Sequence, residues 1–394
     1  MQQQSLRIAV VGGGGHVGLP LSLLLAQRGF AVSIMDCDAA KIELLKRGEF
    51  PFLEQGGPEL LRSLHGSPLL RFTTDSSVVA EVDVIILVTG TPVDEHLNPH
   101  LGPVFGVMDQ IRPCLRAGQT IILRSTLFPG TSEKIYQTLS NAGLGVGVCF
   151  CPERVAQGHA LKELTDLPQI ISGSDARALG VARQVFSTLT RTLVELSMTE
   201  AELAKLFTNS WRYIRFAVAN QFYMIAQEKG LDFYRIHEAM GREYARAADL
   251  PAAGFAAGPC LFKDTMQLAA FNRQNFALGQ AAMLVNETLP DFLVEQVKRA
   301  GSLAGKTVGI LGMAFKPNND DKRESLAYKL RKLLVYEGAQ VLCTDPYIRD
   351  ADFVPLETVL KECEILFIGC PHSEYRRLKF PGKRVVDCWN MARP

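Results

Sequence analysis

Cys260 and Asp264 lie four residues apart in a segment of mostly small residues, Gly254–Asp264. If a helix begins near Pro259, the thiol lies at its positive N-terminal end, which favours the reactive thiolate. A thiolate placed there can add to an aldehyde and hold the carbon covalently while it is oxidised again. Taken alone, Cys260 could equally be one more buried apolar thiol. The segment therefore indicates a nucleophile only if the chain also binds an oxidising cofactor.

A glycine-rich turn near the N-terminus supplies the candidate cofactor site. Gly13, Gly15 and Gly18 fit G-x-G-x-x-G directly after a strand-like run. Such glycines bring backbone N–H groups to a pyrophosphate at a helix N-terminus. Asp36 ends the next strand-like run, where a carboxylate accepts hydrogen bonds from ribose hydroxyls and repels a 2′-phosphate, so NAD is predicted rather than NADP. A hydride acceptor together with a thiol predicts an enzyme that converts an alcohol to a carboxylate in two steps.

Four further residues, two in the fingerprint and two on a predicted helix, could take part in binding or catalysis. His16 and Val17 lie inside the fingerprint, and we expect them to contact the cofactor or pack beside it rather than to catalyse. The other histidines show no metal-ligand spacing, so no metal is predicted. Lys205 and Asn209 lie four residues apart and share one helix face, where a cation and an amide could stabilise an oxyanion. From the spacing alone, an ordinary solvated face fits this pair better.

The chain up to about residue 197 alternates strand-like and helical segments. This alternation predicts an α/β fold, a doubly wound, Rossmann-like parallel sheet with helices on both faces. Strands are expected at Arg7–Val11, Ala31–Met35, Val82–Val88, Thr120–Leu123, Gly145–Cys149 and Gln169–Ile171, and helices at Leu21–Arg28, Ala39–Arg47 and Thr131–Asn141.

A long central helix is expected next. Thr199 and Glu202 match a T-x-x-E capping box, and no glycine or proline follows until Gly230. The run predicts a helix of about thirty residues, roughly 45 Å long, of the kind that spans between domains or packs against a partner subunit. Further helix is predicted at Asp232–Met240 and at Phe276–Arg299, with a kink or break at Pro290.

A second α/β segment begins at Lys306. Strands are expected at Thr307–Leu311, Gln340–Cys343, Ile365–Gly369 and Arg384–Asp387, with a helix at Glu324–Tyr336. Asp345 closes this second strand–helix–strand unit as Asp36 closes the first, but the second has no glycine fingerprint. We expect it to bind a different nucleotide or none. The predicted domains are 1–197 for NAD, 198–300 for the central helices with the cysteine motif, and 301–394 for the C-terminal Rossmann-like sheet.

Composition excludes several other classes of protein. The 394 residues carry a formal net charge of +1, which gives no electrostatic reason to expect a nucleic acid partner. Nine cysteines with no C-x-x-C spacing predict neither a disulfide framework nor a zinc site. The apolar run Ile8–Ala26 is interrupted by the four consecutive glycines Gly12–Gly15 and by Pro20, so no targeting segment or membrane span is predicted. A cytoplasmic enzyme is expected.

Together, the motifs resemble those of the UDP-glucose/GDP-mannose dehydrogenase family, the nucleotide-sugar 6-dehydrogenases, over essentially the whole chain. Besides the fingerprint and Asp36, they are the S-T-x-x-P-G-T loop at Arg124–Thr131, the P-E-[RF] segment at Cys151–Arg154, the E-x-x-K-x-x-x-N helix at Glu202–Asn209, the catalytic-cysteine motif at Gly258–Asp264 and the F-K-x-x-T-D-D-x-R-E-S signature at Phe315–Ser325. The resemblance implies an NAD-dependent oxidation of a UDP-sugar to its uronate, for surface polysaccharide, by a homodimer that pairs through the central helices.

The resemblance also implies a role for each matching residue. In catalysis, Cys260 would carry the thioester, Lys205 and Asn209 would hold the oxyanion, Asp264 and Thr126 would position water and move protons, and Glu153 would assist thioester hydrolysis. In binding, Thr91 and Arg323 would join the fingerprint at NAD, Gly258 and Lys316 would contact the nucleotide-sugar, and Arg246 would reach the substrate, often across the dimer.

Departures from the family pattern leave the substrate open. Ala256-Ala257 replaces the usual Gly-Gly and could reshape the sugar pocket, while Asn319 and Leu326 replace a common Thr and Pro. Cys151–Arg154 is nearer the branch that oxidises N-acetylhexosamines, and Phe262–Thr265 is nearer the UDP-glucose branch. GDP-mannose remains an alternative substrate. Two other classes also stay open: a two-electron dehydrogenase of a hydroxy acid, and a non-catalytic NAD-binding protein that keeps the fold.

Overall fold

The computed structural model describes residues 6–392. The chain folds into two compact units that divide between Phe207 and Thr208. The boundary lies within one long helix, so each unit includes part of that helix. We describe each unit by itself.

The first unit is built on a six-stranded parallel sheet. Its strands are β1 (Arg7–Val11), β2 (Ala31–Met35), β3 (Leu70–Thr73), β4 (Val84–Leu87), β5 (Thr120–Leu123) and β6 (Gly147–Phe150), and a separate parallel pair is formed by β7 (Gln169–Ile171) and β8 (Leu193–Glu195). The helices are α1 (Gly18–Gln27), α2 (Ala39–Lys46), α3 (Gly57–Leu64), α4 (Gly102–Ile111), α5 (Thr131–Asn141), α6 (Ala160–Asp166) and α7 (Ala176–Phe186), with 3₁₀ turns at Ser76–Glu81 and Arg112–Cys114. The strand order β3-β2-β1-β4-β5-β6 is that of a Rossmann fold, whose ligands bind at the switch point between β1 and β4.

Apolar strands covered on both faces explain this sheet. Every residue of β4, β5 and β6 is buried, as expected for parallel strands with helices on both sides. Ile8 and Val10 of β1 belong to the apolar cluster on one face, and Ala9 and Val11 belong to the cluster on the other. The predicted doubly wound sheet is confirmed, although β4 and β6 begin two residues later than expected. The strand β3 was not predicted, and the predicted strand Gln169–Ile171 lies outside this sheet, paired with β8.

The long helix, α8, spans Met198–Glu228, and its first turn differs from the prediction. Ser197, not Thr199, is the capping residue: Ser197 N–H donates to Glu200 Oε2 at 2.8 Å, and Ser197 Oγ accepts from Glu200 N–H at 3.3 Å. The predicted T-x-x-E box is therefore wrong by two residues. Glu202 is instead buried, because its carboxylate accepts hydrogen bonds from the first turn of α5.

The second unit combines the rest of α8 with helices and a smaller sheet. After α8 come α9 (Phe233–Gly241), α10 (Leu261–Phe271), α11 (Ala277–Lys298), β9 (Thr307–Leu311), α12 (Leu326–Tyr336), β10 (Gln340–Thr344), α13 (Leu356–Glu362), β11 (Ile365–Ile368), a 3₁₀ turn at Ser373–Arg377 and β12 (Arg384–Val386). The four strands are parallel in the order β10-β9-β11-β12. This is the second Rossmann-like sheet that the sequence predicts.

Pro290 lies inside α11 without breaking it. Of the predicted kink or break, the break is wrong, since the helix is continuous through this position. Pro290 has no N–H group, so one hydrogen bond of the helix is missing there. The neighbouring residues Asn286, Leu289 and Leu293 are almost completely buried, and this packing stabilises the helix in spite of the missing bond.

We expect Glu202→Gln to destabilise the first unit by about 1–3 kcal/mol, because one amide oxygen must replace two carboxylate oxygens and the new NH₂ group faces a backbone N–H. The measurement is the thermal unfolding midpoint by circular dichroism. Glu200→Gln is the matched control, since a capping box accepts glutamine as well as glutamate. Equal midpoints for the two variants would show that Glu202 is not a significant cap of α5.

Candidate active site

The fingerprint turn has the shape that a bound pyrophosphate requires. A Cβ on Gly18 would lie 2.6 Å from the Gly13 Cα, and a Cβ on Gly13 would lie 2.7 Å from the Val10 oxygen. Gly15, in contrast, faces open space, since a Cβ there would meet nothing nearer than the Gly12 oxygen at 3.8 Å. Glycine is thus needed at Gly13 and Gly18 for packing, and Gly15 leaves room for the ligand to approach the backbone. The residues present fit a dinucleotide.

Asp36 closes the same turn from the end of β2. Its Oδ2 accepts from Gly14 N–H at 2.9 Å, and its Oδ1 accepts from Asp38 N–H at 3.0 Å. The side chain therefore points at the glycine turn, the position from which it would reach a ribose. His16 packs its ring on Phe52, with centroids 4.0 Å apart, which agrees with a packing role beside the turn.

The loop that carries Thr126 is fixed by two other parts of the first unit. Thr91 Oγ1, which follows β4, donates to the Thr126 carbonyl oxygen at 2.7 Å. Glu202 of α8 accepts from Gly130 N–H at 2.6 Å and from Ser132 N–H at 2.8 Å. Burial raises the pKa of Glu202, and these donors oppose the rise. Glu202, three residues before Lys205, thereby ties the N-terminal part of α8 to the S-T-x-x-P-G-T loop.

Glu153 is held as one half of a buried ion pair. Arg124, at the end of β5, has no exposed side-chain surface and donates to Glu153 Oε2. Glu153 Oε1 accepts from the N–H groups of Arg154 and Val155 at 2.6 and 2.8 Å. Both carboxylate oxygens are therefore engaged, and the Arg124 guanidinium also lies over the Phe186 ring, 5.0 Å from its centroid.

Lys205 and Asn209 do not lie on a solvated face. They are 9% and 4% exposed, so the interpretation that the spacing alone favoured is wrong. Asn209 Nδ2 donates to Asp264 Oδ2 at 2.5 Å, and Lys263 Nζ lies 2.5 Å from Asp264 Oδ1. Asp264 itself is completely buried. The tertiary partner on α10 explains why Asn209 is covered.

Cys260 lies at the N-cap of α10 and is exposed. A helix does begin directly after Pro259 and Cys260, so the thiol has the helix-end position that the sequence predicts. Gly258 fixes the backbone two residues before the thiol. Its φ is +99°, its N–H donates to the Glu324 carbonyl oxygen, and a Cβ there would lie 2.4 Å from the Phe315 ring. The nucleophile candidate is therefore an accessible thiol on a tightly packed loop.

Arg323 is held by the carboxylate of Asp321. The hydrogen bond to Asp321 is the main cause that raises the pKa of Arg323, and burial opposes the rise. The guanidinium binds both Asp321 oxygens, at 2.9 Å through Nε and 2.6 Å through Nη2. Arg323 is thus oriented by a carboxylate, and its side chain is more than half exposed.

The two alanines before Cys260 differ in how far they are covered. Ala256 is 3% exposed and belongs to an apolar cluster with Tyr213 and Ala217 of α8 and Ala282 of α11. Ala257 is less covered. Both alanines border a cavity of about 510 Å³ whose other walls include residues of α12. The Ala256 methyl group therefore packs mainly into the core between α8 and α11.

The remaining substrate candidates are accessible. Arg246 lies in an exposed segment, residues 242–246, and its guanidinium stacks on Tyr244 at 5.0 Å from the ring centroid. Lys316 is partly buried, with its Nζ 5.7 Å from the Phe315 ring centroid.

The acid of the second sheet differs from Asp36 in its surroundings. Asp345 has no exposed side-chain surface and accepts from the N–H groups of Met313 and Ala314 at 2.6 and 3.0 Å. His372 Nε2 lies 3.0 Å from Asp345 Oδ2. Burial alone would raise the pKa of Asp345, but His372 and the backbone donors hold it below its ordinary value. Because the Asp345 carboxylate is buried and hydrogen-bonded within the protein, it is not exposed to accept a hydrogen bond from a ribose.

Each unit collects its own share of the candidate residues. The first unit holds the glycine turn, Asp36, Thr91, Thr126, Glu153 and Lys205, and the second holds Asn209, Arg246, Gly258, Cys260, Asp264, Lys316 and Arg323. Two positioning residues, Arg124 and Glu202, were not predicted from the sequence. Both lie inside the family motifs, and a charged residue at the end of the apolar strand Thr120–Leu123 was the available signal for Arg124.

Other kinds of site are not formed by the part of the chain that the structure describes. Over residues 6–392, no three His, Cys, Asp or Glu side chains are grouped to hold a metal ion. All nine cysteines are free thiols. No helix within those residues has the length and apolar character to cross a membrane.

Comparison with known proteins agrees with this geometry. Three domains of the UDP-glucose/GDP-mannose dehydrogenase family match the chain: the NAD binding domain over residues 6–190, the central domain over 199–288 and the UDP binding domain over 309–394. A UDP-N-acetyl-D-mannosamine dehydrogenase of Methanocaldococcus jannaschii is 31% identical, over 94% of this chain and 86% of the relative.

Two solved structures are similar over nearly their whole length. A UDP-glucose dehydrogenase of Pyrobaculum islandicum has a TM-score of 0.92 at 27% identity, covering 99% of this chain and 96% of that one. A UDP-D-ManNAc dehydrogenase of Pyrococcus horikoshii has a TM-score of 0.89 at 27% identity, covering 95% and 91%. The chain is therefore an NAD-dependent oxidoreductase that belongs to the UDP-glucose/GDP-mannose dehydrogenase family.

Proposed function

We propose that this enzyme oxidises the C6 alcohol of a UDP-sugar to the uronate in two hydride transfers, through a thioester on Cys260. The observation that carries the proposal is the environment of Cys260. The thiol is exposed at the start of α10, and one helical turn later the buried Asp264 contacts Asn209. A two-electron dehydrogenase has no use for such a thiol.

The reaction balances in four steps. A base takes the hydroxyl proton as C6 loses a hydride, which leaves an aldehyde. The Cys260 sulfur adds to the aldehyde carbon and forms a thiohemiacetal. Loss of a second hydride and a proton gives the thioester, which water cleaves to the carboxylate and the free thiol. When bound, NAD accepts each hydride. The covalent steps keep the reactive aldehyde from escaping.

The surroundings of the carboxylates support distinct roles for them. Glu153 is pinned by Arg124 and two backbone N–H groups, so we assign it to orienting water during thioester hydrolysis. Asp264 lies between Lys263 and Asn209, and with Thr126 it would move protons. Lys205 and Asn209 would stabilise the oxyanion, since preorganised donors in a buried site cost little reorganisation.

The proposal also concerns the identity of the nucleotide and of the sugar in the substrate. The match to a UDP binding domain over residues 309–394 supports a uridine nucleotide. Relatives named for UDP-N-acetyl-D-mannosamine and for UDP-glucose are both similar to the chain, so those two sugars come first in a substrate panel, with GDP-mannose as the alternative. Free thiols throughout the chain agree with a reducing cytoplasm.

We also propose a homodimer that pairs through α8. Phe207, Trp211, Val218, Phe222 and Ile225 are 39–57% exposed, and their spacing of four, seven, four and three residues places them on one helix face. An exposed apolar stripe of this length needs a cover. A second copy supplies the same stripe, and the exposed Arg246 would then reach the partner's substrate.

The ratio of NADH to uronate tests the two-step chemistry. We expect two NADH per uronate from wild-type enzyme, and Cys260→Ser should lower uronate formation by about 10³-fold or more because the covalent step is lost. Cys114→Ser, at a partly exposed thiol, is the control. One NADH per product, or uronate at the normal rate from Cys260→Ser, would rule out the thioester.

Asp36→Asn tests the ribose contact. We expect the Kd for NAD to rise about tenfold, because a charged acceptor of the ribose hydroxyls is lost. The ratio of the Kd for NADP to the Kd for NAD should fall, because the charge that repels a 2′-phosphate is also lost. Fluorescence titration measures both constants. Glu43→Gln on α2 is a control for charge alone. An unchanged ratio of the two constants would place the ribose elsewhere.

Trp211→Asp tests the dimer. A buried charge in the stripe should shift the sedimenting species towards the 43.3 kDa monomer, because an unpaired charge is costly in an apolar interface. Tyr336→Asp is the matched control, since Tyr336 is 88% exposed on α12, outside the stripe. If both variants sediment like the wild type, this face of α8 does not form the dimer.

A further inference from the structure

A buried amide on α8 holds the loop that leads to Cys260. Asn220 Nδ2 donates to the Gly254 carbonyl oxygen at 3.0 Å, and Asn220 Oδ1 accepts from the Gly254 N–H at 2.9 Å. Asn220 has no exposed surface. Because one side chain satisfies both backbone polar groups of Gly254, it fixes the position and the orientation of that residue where no strand or helix does so.

The Asn220 amide is itself fixed by a second buried amide. Asn220 Nδ2 also donates to Asn286 Oδ1 of α11 at 2.9 Å, and Asn286 Nδ2 donates to the Tyr213 carbonyl oxygen at 3.1 Å. Asn286 is completely buried as well. A flipped Asn220 would face oxygen with oxygen at two contacts, so the network allows a single orientation.

The other side of Gly254 is closed by an indole ring. The φ of Gly254 is +154°, and a Cβ there would lie 2.2 Å from ring carbons of Trp389. Trp389 is held in turn, since its Nε1 donates to the Ile368 carbonyl oxygen at 3.0 Å. Gly254 therefore lies between an amide and a ring and has room to move towards neither.

Two amides of α8 thus hold the chain on both sides of Cys260. Asn209 binds Asp264, four residues after the thiol, and Asn220 binds Gly254, six residues before it. The two asparagines are eleven residues apart, about three helical turns, which places them on one face roughly 16 Å apart. We propose that Asn220 is a positioning residue for Cys260, acting through Gly254. The proposal rests on the proposed function in taking Cys260 as the nucleophile.

The test compares Asn220→Ala with Asn286→Ala in the full chain. Both changes break the same buried network, but only Asn220→Ala removes the two hydrogen bonds to Gly254. We expect both variants to unfold at a lower temperature. Only Asn220→Ala should lower kcat, by about tenfold or more, with the KM for the UDP-sugar changed less than about threefold, since small misplacements of a reacting group act mainly on the chemical step.

Hydrogen exchange gives a readout that does not need turnover. Deuterium uptake in peptides covering residues 252–260 should rise in Asn220→Ala and stay near wild type in Asn286→Ala. If Asn220→Ala does not fold, Gly254→Ala tests the same contact from the Trp389 side and should also lower kcat.

Either of two results would overturn the proposal: equal kcat losses in the two asparagine variants, or equal exchange in residues 252–260. If the wild type oxidises no nucleotide-sugar, the proposed function fails. The exchange comparison then decides by itself whether Asn220 holds the Cys260 loop.

Discussion

The hydrogen bond between Asn209 and Asp264 is the contact on which the candidate active site of the second unit depends. A carboxylate with no exposed surface is costly unless its charge is compensated, and here Asn209 and Lys263 supply the partners. The contact fixes α10 against α8. Since Cys260 begins the first turn of α10, the same contact fixes where the thiol lies. The buried polar face of α8 therefore positions the Cys260 thiol.

The two Rossmann-like sheets use an acid at the same topological position in opposite ways. Asp36 is held by two N–H groups beside an open glycine turn. Asp345 is enclosed by backbone donors and by His372, with no surface left for a ligand. Asp36 therefore lies against the glycine turn of the NAD binding domain, whereas Asp345 stabilises a turn inside the second sheet. The same strand–helix–strand plan serves a cofactor in one sheet and has a structural acid in the other.

Much of the fold could be predicted because its central strands are continuous apolar runs. Arg7–Val11, Ala31–Met35 and Thr120–Leu123 were expected as strand-like runs between helical segments and have those bounds in the structure. The first turn of α8 was predicted wrongly, because the partners of Glu202 lie 70 and 72 residues away in sequence. A capping box is a local pattern, and no local pattern reports that contact.

In the candidate site, too, local patterns could be predicted from the sequence and distant contacts could not. Motif residues could be found by type and spacing, whereas their partners could not. The spacing of Lys205 and Asn209 alone fits a solvated face, and only the tertiary contact of Asn209 with Asp264 shows that this face is buried. Arg124 and Asn220 act through residues far along the chain, Glu153 and Gly254, so only the tertiary structure identifies them. Sequence alone also could not show that Ala256 packs in the core between α8 and α11.

The central claim is that the substrate carbon becomes bonded to the Cys260 sulfur, and mass spectrometry of the quenched enzyme tests it most directly. Enzyme mixed with NAD and its UDP-sugar should be quenched in acid during the first turnover and digested. We predict a nucleotide-sugar adduct on the Cys260 peptide that hydroxylamine removes. Formation of NADH and uronate while the Cys260 peptide stays unmodified throughout the time course would contradict the claim.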